Sequence, residues 1–454
     1  MSPLAHVCHA AGIEIAGCDS KPGKTLDKLR VSGVSVEAEL SEGMRRRART
    51  YVFSSAIAKD NMALAAAHQD GRKCLHRSEL LHLLLAGSKA ITIAGTHGKT
   101  TTTAMITHVM AALGQDPSAI VGGVVRSLEA SWRLGRGHCF VAEADESDGS
   151  FLRYSPQIAV VTNISSDHLD FYTNLHGVCT AFQSHVSHIQ AGGWLIAGWD
   201  DNNVRHLDLP AEVNLLTFGT VLGCDVRAYE VLPGAGGIAF RAVVERTDIS
   251  CKLQLPGMHN LQNALGTLAV CRALELDVVQ AARALETFDG VGRRLELVFE
   301  GPDLTIFDDY AHNPGKIAAA VKSVAQAWPG MKLRVVFQPH RYSRLRTMYE
   351  EFAAAFVGAG EVIVTPIYAA GEPHDPSLDS EALAAEIEKR SKVSAIAKSS
   401  LSDTIDYLRS TSELSQIVLT LGAGDVNIVG QALKENALAK KDYRTASKAT
   451  STKA

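Results

Sequence analysis

AITIAGTHGKTT, at residues 90–101, places a continuous apolar strand, a glycine-bounded loop and the start of a helix in direct succession. The glycines let the backbone fold tightly, so that consecutive N–H groups point at one phosphate, and the helix N-terminus adds partial positive charge. Lys99 is placed to neutralise the β- and γ-phosphates of a nucleotide, and the Thr100 hydroxyl is placed to hold Mg²⁺. The predicted phosphate loop consists of Gly95, Thr96, His97, Gly98, Lys99, Thr100 and Thr101.

This loop is shorter than the common GxxxxGK[ST] form, since only Thr96 and His97 separate Gly95 from Gly98. The alternative is an ordinary strand-to-helix turn with a solvent-exposed lysine. The flanking strand and helix favour phosphate binding, because both stand where a phosphate loop requires them.

Acidic residues follow the next predicted strand, residues 139–142. The chain continues there as AEADESD, with four carboxylates between Glu143 and Asp148. Ligands bind outside the carboxyl ends of parallel strands, so a metal-binding carboxylate is expected at this position. Glu143, which is nearest the strand, is the predicted Mg²⁺ ligand. The alternative is a solvated acidic loop.

A histidine lies just beyond the strand predicted at residues 158–162, in the sequence TNISSDHLD. Because Mg²⁺ prefers oxygen ligands, the residue type alone gives little support to His168 as a ligand. Its position at a strand end, next to the strand of Glu143, makes it a candidate metal ligand. A structural histidine is the alternative.

Length and composition indicate a folded protein of several domains. The chain has 454 residues, which corresponds to about three domains. Hydrophobic residues make up 46% and charged residues 21%, and these values exclude a wholly disordered chain and a coiled coil. The net charge of −4 argues against a general nucleic-acid-binding surface.

The sequence offers no sign of secretion or membrane insertion. The eight cysteines are scattered without a CxxC pair, as expected for reduced thiols. Apolar runs are too short to span a bilayer, and no basic residue precedes an apolar segment at the start. We therefore expect a cytoplasmic protein.

Apolar strands alternate with helices along most of the chain, which is typical of parallel sheets covered on both faces. Three α/β domains in series are predicted. Their expected bounds are residues 1–87, 88–298 and 299–433. Residues 434–454 are rich in Lys, Ala, Ser and Thr and predict a disordered tail.

Seven motifs share the order and spacing found in the Mur ligases. They are GTHGKTTTT, AEADESDGSF, TNISSDHLD, LPGMHNLQNALG, GVGRRLE, DDYAHNP and QPHRYSR. The resemblance covers nearly the whole chain. It implies an α/β fold with Rossmann-like N- and C-terminal domains, which bind a UDP-sugar and an amino acid, and a central phosphate-loop ATPase domain.

The resemblance also implies a reaction. In the alanine-adding subgroup, the lactyl carboxylate of UDP-N-acetylmuramate attacks the γ-phosphate of ATP, and the amine of L-alanine then attacks the acyl phosphate. The resemblance implies four ligands, which are ATP, Mg²⁺, UDP-N-acetylmuramate and L-alanine. The enzyme is expected to be a monomer or a homodimer. Such a reaction needs charge neutralisation and alignment of three reactants more than a protein nucleophile.

Several residues match functional positions of the family. Lys99 and Thr100 match its phosphate and Mg²⁺ residues, and Glu143 and His168 match its metal ligands. Residues that match the nucleotide-binding positions are His259, Asn260, Asn263, Arg294 and Asp309. Those that match the amino-acid side are His312, Arg341 and Arg344. Those that resemble the uridine side are Asp19, Ser54, Ser55, His76 and Arg77.

For the two arginines the physical case is independent, since they follow the strand predicted at residues 333–337 and a forked guanidinium suits a carboxylate. Solvent-exposed arginines in a loop are the alternative. His312 could also assist deprotonation of the amine.

The sequence departs from the family pattern in two places. Relatives with a carbamylated lysine carry it about fifteen residues after the histidine that corresponds to His168, whereas AFQ at residues 181–183 offers none. This absence favours the alanine-adding subgroup. The chain also lacks the family's opening strand and glycine-rich loop, so we expect a start assigned too late or a truncation. The alternative functions are a ligase for a recycled murein tripeptide and a truncated, non-catalytic ATP-binding copy.

Overall fold

The structure is a computed structural model that describes residues 1–19, 23–57, 60–411, 413 and 415–451. Its backbone contacts divide it into two compact units. The first contains Met1–Val231, Phe240–Lys252 and Asn260–Asp289. The second contains Leu232–Ala239, Leu253–His259 and the chain from Gly290 onward.

Strands and helices alternate along most of the chain. The strands are β1 (Ala16–Cys18), β2 (Ser35–Glu37), β3 (Thr50–Phe53), β4 (Lys73–His76), β5 (Lys89–Ala94), β6 (Ser118–Val125), β7 (Ala130–Arg133), β8 (Cys139–Glu143), β9 (Ile158–Val161), β10 (Trp194–Gly198), β11 (Asn214–Gly219), β12 (Val226–Gly234), β13 (Gly237–Val244), β14 (Thr247–Leu253), β15 (Glu296–Glu300), β16 (Leu304–Asp309), β17 (Lys332–Phe337), β18 (Glu361–Val364), β19 (Ser394–Ala397) and β20 (Gln416–Leu421). The helices are α1 (Ser2–Ala10), α2 (Lys24–Val31), α3 (Glu42–Arg47), α4 (Met62–Gln69), α5 (Arg77–Leu85), α6 (Lys99–Ala112), α7 (Leu169–Tyr172), α8 (Leu175–Ser187), α9 (Asn202–Arg205), α10 (Met258–Ala273), α11 (Val278–Leu285), α12 (Pro314–Ala327), α13 (Tyr342–Thr347), α14 (Tyr349–Ala353), α15 (Ser380–Ser391), α16 (Leu401–Ser410) and α17 (Asn427–Ser451).

A ten-stranded sheet organises the first unit, with the order β14-β13-β12-β11-β10-β9-β5-β8-β6-β7. The strand β5 pairs in parallel with β8 on one side and with β9 on the other. The chain thus continues to both sides of β5, which makes its carboxyl end a topological switch point. Ligands of α/β sheets bind at such points.

The strand β5 lies in the interior of the sheet because its sequence is largely apolar on both faces. Five of its residues, from Ala90 to Ala94, are buried, and Thr92 is the polar residue among them. Packed against it, α6 is buried along most of its length, including Thr102, Thr103 and Met105. Burial on both faces rigidifies the strand and the helix that flank the phosphate loop.

The N-terminal part of the first unit contains two short parallel pairs, β1 with β2 and β3 with β4. The sequence predicts a strand at residues 13–16, whereas β1 begins only at Ala16. The apolar residue Ile13 does not mark a buried strand, since it is 49% exposed.

A six-stranded sheet forms the second unit, with the order β15-β16-β20-β17-β18-β19. The four pairs formed by β16, β20, β17, β18 and β19 are parallel, and β15 joins the edge in antiparallel orientation. Two apolar cores cover this sheet, one around Phe337 and Phe356 and the other around Ile306 and Val336. The predicted α/β repeat therefore holds in this part of the chain.

The last helix, α17, extends from Asn427 through Ser451. It overlaps the segment from residue 434 that the sequence predicts as a disordered tail, and that disorder stays a prediction. Leu433 packs into the sheet core and anchors the helix, and the following Ala, Lys and Leu residues are strong helix formers. None of the helices in the described part of the chain combines the length and the hydropathy that a bilayer crossing requires.

Arg334 on β17 provides a stability prediction. Its side chain is 1% exposed, and its Nε lies 2.6 Å from Glu361 Oε2. Replacing it as Arg334→Met leaves a buried carboxylate without its counter-ion, which costs about 3–5 kcal/mol. We expect native-state hydrogen exchange of the β17 amides to show this loss. Lys332→Met, which removes a lysine paired with Glu413 at the surface, should change the same free energy by less than about 0.5 kcal/mol; an equal loss in both variants would contradict the assignment.

Candidate active site

The predicted phosphate loop lies between a strand and a helix. It connects β5 to α6, and Gly95 and Gly98 adopt positive φ angles of 137° and 87°. A Cβ at Gly95 would lie 2.0 Å from Thr162 Oγ1, and one at Gly98 would lie 2.4 Å from Asn263 Oδ1. Both positions therefore require glycine for conformation and for space.

Asn163 holds the loop from the end of the adjacent strand β9. The His97 N–H donates to Asn163 Oδ1 at 2.9 Å, and Asn163 Nδ2 donates to the His97 carbonyl at 3.0 Å. The Thr96 N–H donates to the Asn163 carbonyl at 3.0 Å. The sequence analysis did not assign Asn163, although its place directly after an apolar strand, within a matched motif, was a usable signal.

Two predicted nucleotide residues support the loop from the first turns of α10. Asn260 and Asn263 are 2% and 3% exposed. Thr102 Oγ1 on α6 donates to Asn263 Oδ1 at 3.0 Å, and Asn263 Nδ2 donates to Asn260 Oδ1 at 3.3 Å. These contacts fix α10 against α6 beside Gly98. Direct contact of the two asparagines with a nucleotide stays a prediction.

Lys99 is held at the mouth of the loop by two oxygen atoms. Its Nζ donates to the Gly95 carbonyl and to Glu146 Oε1, each at 2.7 Å. Glu146 is only 2% exposed, and the Tyr172 hydroxyl donates to its carbonyl oxygen. The ammonium group of Lys99 therefore lies against the first residue of the loop, and a buried carboxylate is its counter-ion.

Oxygen donors suited to Mg²⁺ lie beside the loop. Thr100 Oγ1 donates to Glu143 Oε2 at 3.1 Å, and the Gly122 N–H donates to Glu143 Oε1. Hydroxyl and carboxylate oxygens are the donors that Mg²⁺ prefers, so Thr100 and Glu143 fit the ion. His168 Nε2 lies 3.9 Å from Glu146 Oε1. Among the described residues, no three His, Cys, Asp or Glu side chains form a closed metal-binding group.

Three of the predicted sugar-side residues are brought together by the acidic loop that follows β8. His76 Nε2 lies 3.0 Å from Ser55 Oγ, which donates to Asp148 Oδ2. Arg77 donates to Asp145 Oδ2 at 3.1 Å and to Asp148 Oδ2 at 3.2 Å. The alternative of a solvated acidic loop is therefore wrong, since these carboxylates are paired.

This network has a defined charge state. Burial opposes ionisation of Asp148, but hydrogen bonds from Ser150 and Ser55, together with Arg77, outweigh it and lower the pKa of Asp148 to about 2. Burial lowers the pKa of His76, which favours its neutral form. The Ser78 N–H donates to His76 Nδ1 at 3.4 Å, so the ring proton lies on Nε2 and points to Ser55.

The other sugar-side predictions lie outside this network. Ser54 accepts a backbone hydrogen bond from Ile57 through its carbonyl oxygen. Asp19 follows β1, and its N–H donates to the Glu37 carbonyl at 3.1 Å. A role of Ser54 or Asp19 in uridine binding stays a prediction.

In the second unit, Asp309 ends β16 and turns inward. Leu295 and Ala311 donate backbone N–H groups to its two carboxylate oxygens at 2.6 and 2.7 Å. Burial raises the pKa of Asp309 to about 6, against these hydrogen bonds and the nearby Arg294. Asp309 is therefore engaged in holding the turn after β16, and contact with a ribose stays a prediction.

Both arginines of GVGRRLE lie over the Tyr310 ring, and the Arg293 guanidinium is 5.1 Å from the ring centre. The Arg294 guanidinium lies 5.5 Å from the Tyr310 ring centre. Arg293 donates to Asp308 Oδ2 at 3.1 Å and to the carbonyls of Gly422 and Gly424 at 2.6 and 3.0 Å. Arg293 thus ties this segment to the end of β20, a role that the sequence analysis did not assign.

The predicted amino-acid side contains a cluster of rings around one arginine. His312 Nδ1 lies 2.8 Å from the Tyr310 carbonyl, and its ring lies 6.2 Å from that of His340. Burial, Arg344 and Arg341 lower the pKa of His340 to about 4, so His340 is neutral at pH 7 and accepts from Arg344 Nη1 at 3.2 Å. The structure thus brings His312 and Arg344 to one cluster.

Arg341 stands at the start of α13, where its backbone adopts a φ of 69° and its N–H donates to the Tyr368 carbonyl at 2.9 Å. Its side chain is exposed. His259, another predicted nucleotide residue, is assigned to the second unit, where its Nδ1 lies 3.4 Å from Ser323 Oγ. Roles of Arg341 in amino-acid binding and of His259 in nucleotide binding stay predictions.

Three family models match the chain in succession. The model described as Mur ligase family, catalytic domain, matches residues 1–89. The Mur ligase middle domain matches residues 93–271, and the Mur ligase, glutamate ligase domain, matches residues 293–424.

Individual proteins match over nearly the same length. The UDP-N-acetylmuramate–L-alanine ligase of Desulfosudis oleivorans is 37% identical over 432 residues, which are 95% of this chain and 94% of that protein. The crystal structure of the UDP-N-acetylmuramate–alanine ligase of Thermotoga maritima superposes with a TM-score of 0.82 at 25% identity, covering 97% of each chain. A murein peptide ligase from Psychrobacter arcticus shares the fold, with a TM-score of 0.69 at 21% identity. The chain belongs to the Mur ligase family, and its α/β fold is the three-domain architecture of that family.

Proposed function

We propose that the chain is an ATP-dependent ligase that joins L-alanine to the lactyl carboxylate of UDP-N-acetylmuramate, in the synthesis of peptidoglycan precursors. The observation that carries the reaction class is the phosphate loop, with Lys99 fixed at its mouth at the carboxyl edge of the sheet. The choice of substrates is supported by relatives that bear this name and match 95% of the chain.

The first step is phosphoryl transfer, which depends on neutralising charge rather than on a protein nucleophile. An oxygen of the lactyl carboxylate attacks the γ-phosphorus of ATP, ADP leaves, and an acyl phosphate forms. Lys99 and the N-terminus of α6 supply fixed positive charge where the transferring group would lie. In this proposal Asn163 fixes the shape of the loop by accepting hydrogen bonds from the N–H groups of Thr96 and His97.

The oxygen atoms of Thr100 and Glu143 would hold Mg²⁺ beside the loop, and His168 is the further candidate ligand. Bound Mg²⁺ would offset the charge that develops on the phosphate oxygens. Because the Thr100 hydroxyl is already directed at Glu143, these two side chains need little rearrangement to share an ion.

The second step is attack of the L-alanine amine on the acyl carbon, with loss of phosphate and of one amine proton. His312 Nδ1 faces a carbonyl oxygen and therefore carries the ring proton, which leaves Nε2 as the basic nitrogen. We assign acceptance of the amine proton to this nitrogen. Arg344 and Arg341 would hold the alanine carboxylate.

Substitution of Arg344 tests the amino-acid side. Arg344→Ala removes a charged hydrogen-bond donor worth about 1.5–3 kcal/mol, so we expect KM for L-alanine to rise roughly 10- to 100-fold. KM for ATP should change less than about twofold. Arg346→Ala is the matched control, since Arg346 lies on the same helix and pairs with Asp375. A KM for L-alanine that is unchanged in Arg344→Ala would contradict the assignment.

Phosphate release from ATP tests the function itself. We expect release only when UDP-N-acetylmuramate and L-alanine are both present, with UDP-N-acetylmuramoyl-L-alanine as the product by mass spectrometry. Dependence on a murein tripeptide instead of L-alanine would identify the recycling ligase. ATP binding without any release would identify a non-catalytic copy. Since all three substrates are water-soluble, the proposal also supports a cytoplasmic location.

A further inference from the structure

We infer that Glu146 and Asp148 are positioning residues that serve as exchangeable counter-ions: Glu146 pairs with Lys99 and Asp148 with Arg77, the cations that would otherwise bind the nucleotide and the UDP-sugar. This inference rests on the proposed function for the identity of the two ligands. It assigns a role to the acidic loop beyond the Mg²⁺ ligand Glu143.

The first observation is the pair of Lys99 and Glu146. Their atoms Nζ and Oε1 lie 2.7 Å apart, and the carboxylate is 2% exposed. Glu146 Oε2 is buried and has no hydrogen-bond partner in the described part of the chain. Burying a carboxylate with an oxygen left unsatisfied is costly. A purely structural role explains this arrangement poorly, whereas a temporary partner for Lys99 explains it.

The second observation is independent and concerns Arg77. One guanidinium nitrogen of Arg77 donates to Asp145 and to Asp148, and Ser55 donates to the same oxygen of Asp148. Arg77 and Ser55 are the donors that the family resemblance places on the sugar side. A carboxylate thus accepts hydrogen bonds from the same donors that an anionic sugar nucleotide would need.

The third observation is that both carboxylates belong to one short loop with internal bracing. Asp145 Oδ1 accepts from the Ser147 N–H, and Asp148 Oδ1 accepts from the Ser150 N–H, each at 3.1 Å. Glu146 lies between these two braced turns, and Tyr172 holds its carbonyl. A shift of Asp148 therefore moves the backbone that carries Glu146.

These contacts give a defined exchange. A phosphate of ATP competes with Glu146 for Lys99, and an anionic group of the UDP-sugar competes with Asp148 for Arg77. Release of either carboxylate loosens the loop and favours release of the other. Each ligand then raises the affinity for the second, and such coupling is reciprocal.

Binding measurements on three variants test this inference. Affinities for a non-hydrolysable ATP analogue (AMP-PNP) and for UDP-N-acetylmuramate are measured separately by calorimetry. We expect Glu146→Gln to bind AMP-PNP about fivefold or more tightly without the sugar, and Asp148→Asn to bind the sugar about fivefold or more tightly without nucleotide. Asp116→Asn, which removes a carboxylate paired with Arg133, should change both by less than about twofold.

Unchanged or weaker AMP-PNP binding in Glu146→Gln would overturn the inference. If this variant does not fold, as judged by its thermal transition, Asp148→Asn provides the test. Unchanged or weaker binding of UDP-N-acetylmuramate by Asp148→Asn would then overturn the inference. The AMP-PNP arm needs no turnover, so it remains informative if the ligase assay fails. Conversely, substrate-dependent phosphate release in the wild-type chain supports the proposed function whatever these variants show.

Discussion

Lys99→Ala should abolish ATP-dependent ligation, with kcat reduced about 10³-fold or more. The substitution removes the fixed positive charge that lies 2.7 Å from the Gly95 carbonyl at the mouth of the phosphate loop. Since the contacts described for the Lys99 ammonium group are polar, the sheet that carries the loop should persist. Phosphate release with both substrates present measures the loss, and circular dichroism checks the fold.

The structure adds a complication, because Lys99→Ala also leaves Glu146 buried without its counter-ion. The double variant Lys99→Ala/Glu146→Gln removes that charge and should remain inactive while regaining stability. Lys89→Ala, at the exposed start of the preceding strand β5, is the matched control and should keep full activity. Activity retained in Lys99→Ala would contradict the assignment of the phosphate loop.

Gly95→Ala should be nearly as damaging, through geometry rather than charge. The backbone at Gly95 has a φ of 137°, and an added Cβ would lie 2.0 Å from Thr162 Oγ1 and 3.1 Å from the Thr162 backbone nitrogen. The loop must therefore move away from β9, and a displacement of about 1 Å can cost roughly a hundredfold in rate. We expect nucleotide affinity and kcat each to fall by about that factor.

The control for this substitution is Gly87→Ala, just before β5. A Cβ there would meet no atom within 4 Å. Its activity and nucleotide affinity should equal those of the unmodified chain. If Gly95→Ala bound AMP-PNP as tightly as Gly87→Ala, nucleotide binding would not depend on the close approach between the loop and β9, and the prediction would be wrong.

The phosphate loop could be predicted from sequence because its chemistry is local. A strand, two glycines, a lysine and a helix stand within twelve residues, and each constrains the next. The prediction of Glu143 at a strand end follows the same logic, since ligands bind outside the carboxyl ends of parallel strands. The resemblance to the family then added positions that no local pattern indicates, such as Asn263.

What sequence reasoning missed depends on contacts between distant segments. Asn163 and Arg293 act through side-chain hydrogen bonds to backbone carbonyls of other strands and loops, and their own segments do not reveal these partners. The same holds for the pairing of Arg77 with Asp148, which are seventy-one residues apart. Strands β10 to β14 were also missed. Strands β12 to β14 alternate buried with exposed residues and lack a continuous apolar run, whereas β10 is apolar and buried and was a usable signal.

The most direct test of the account follows one oxygen atom through the reaction. UDP-N-acetylmuramate labelled with ¹⁸O in its lactyl carboxylate is incubated with the chain, ATP and L-alanine, and the phosphate is analysed by mass spectrometry. Because the carboxylate oxygen becomes the bridging atom of the acyl phosphate and leaves with phosphorus, we expect one labelled oxygen in each phosphate released. Unlabelled phosphate, released while the alanyl product forms, would contradict it.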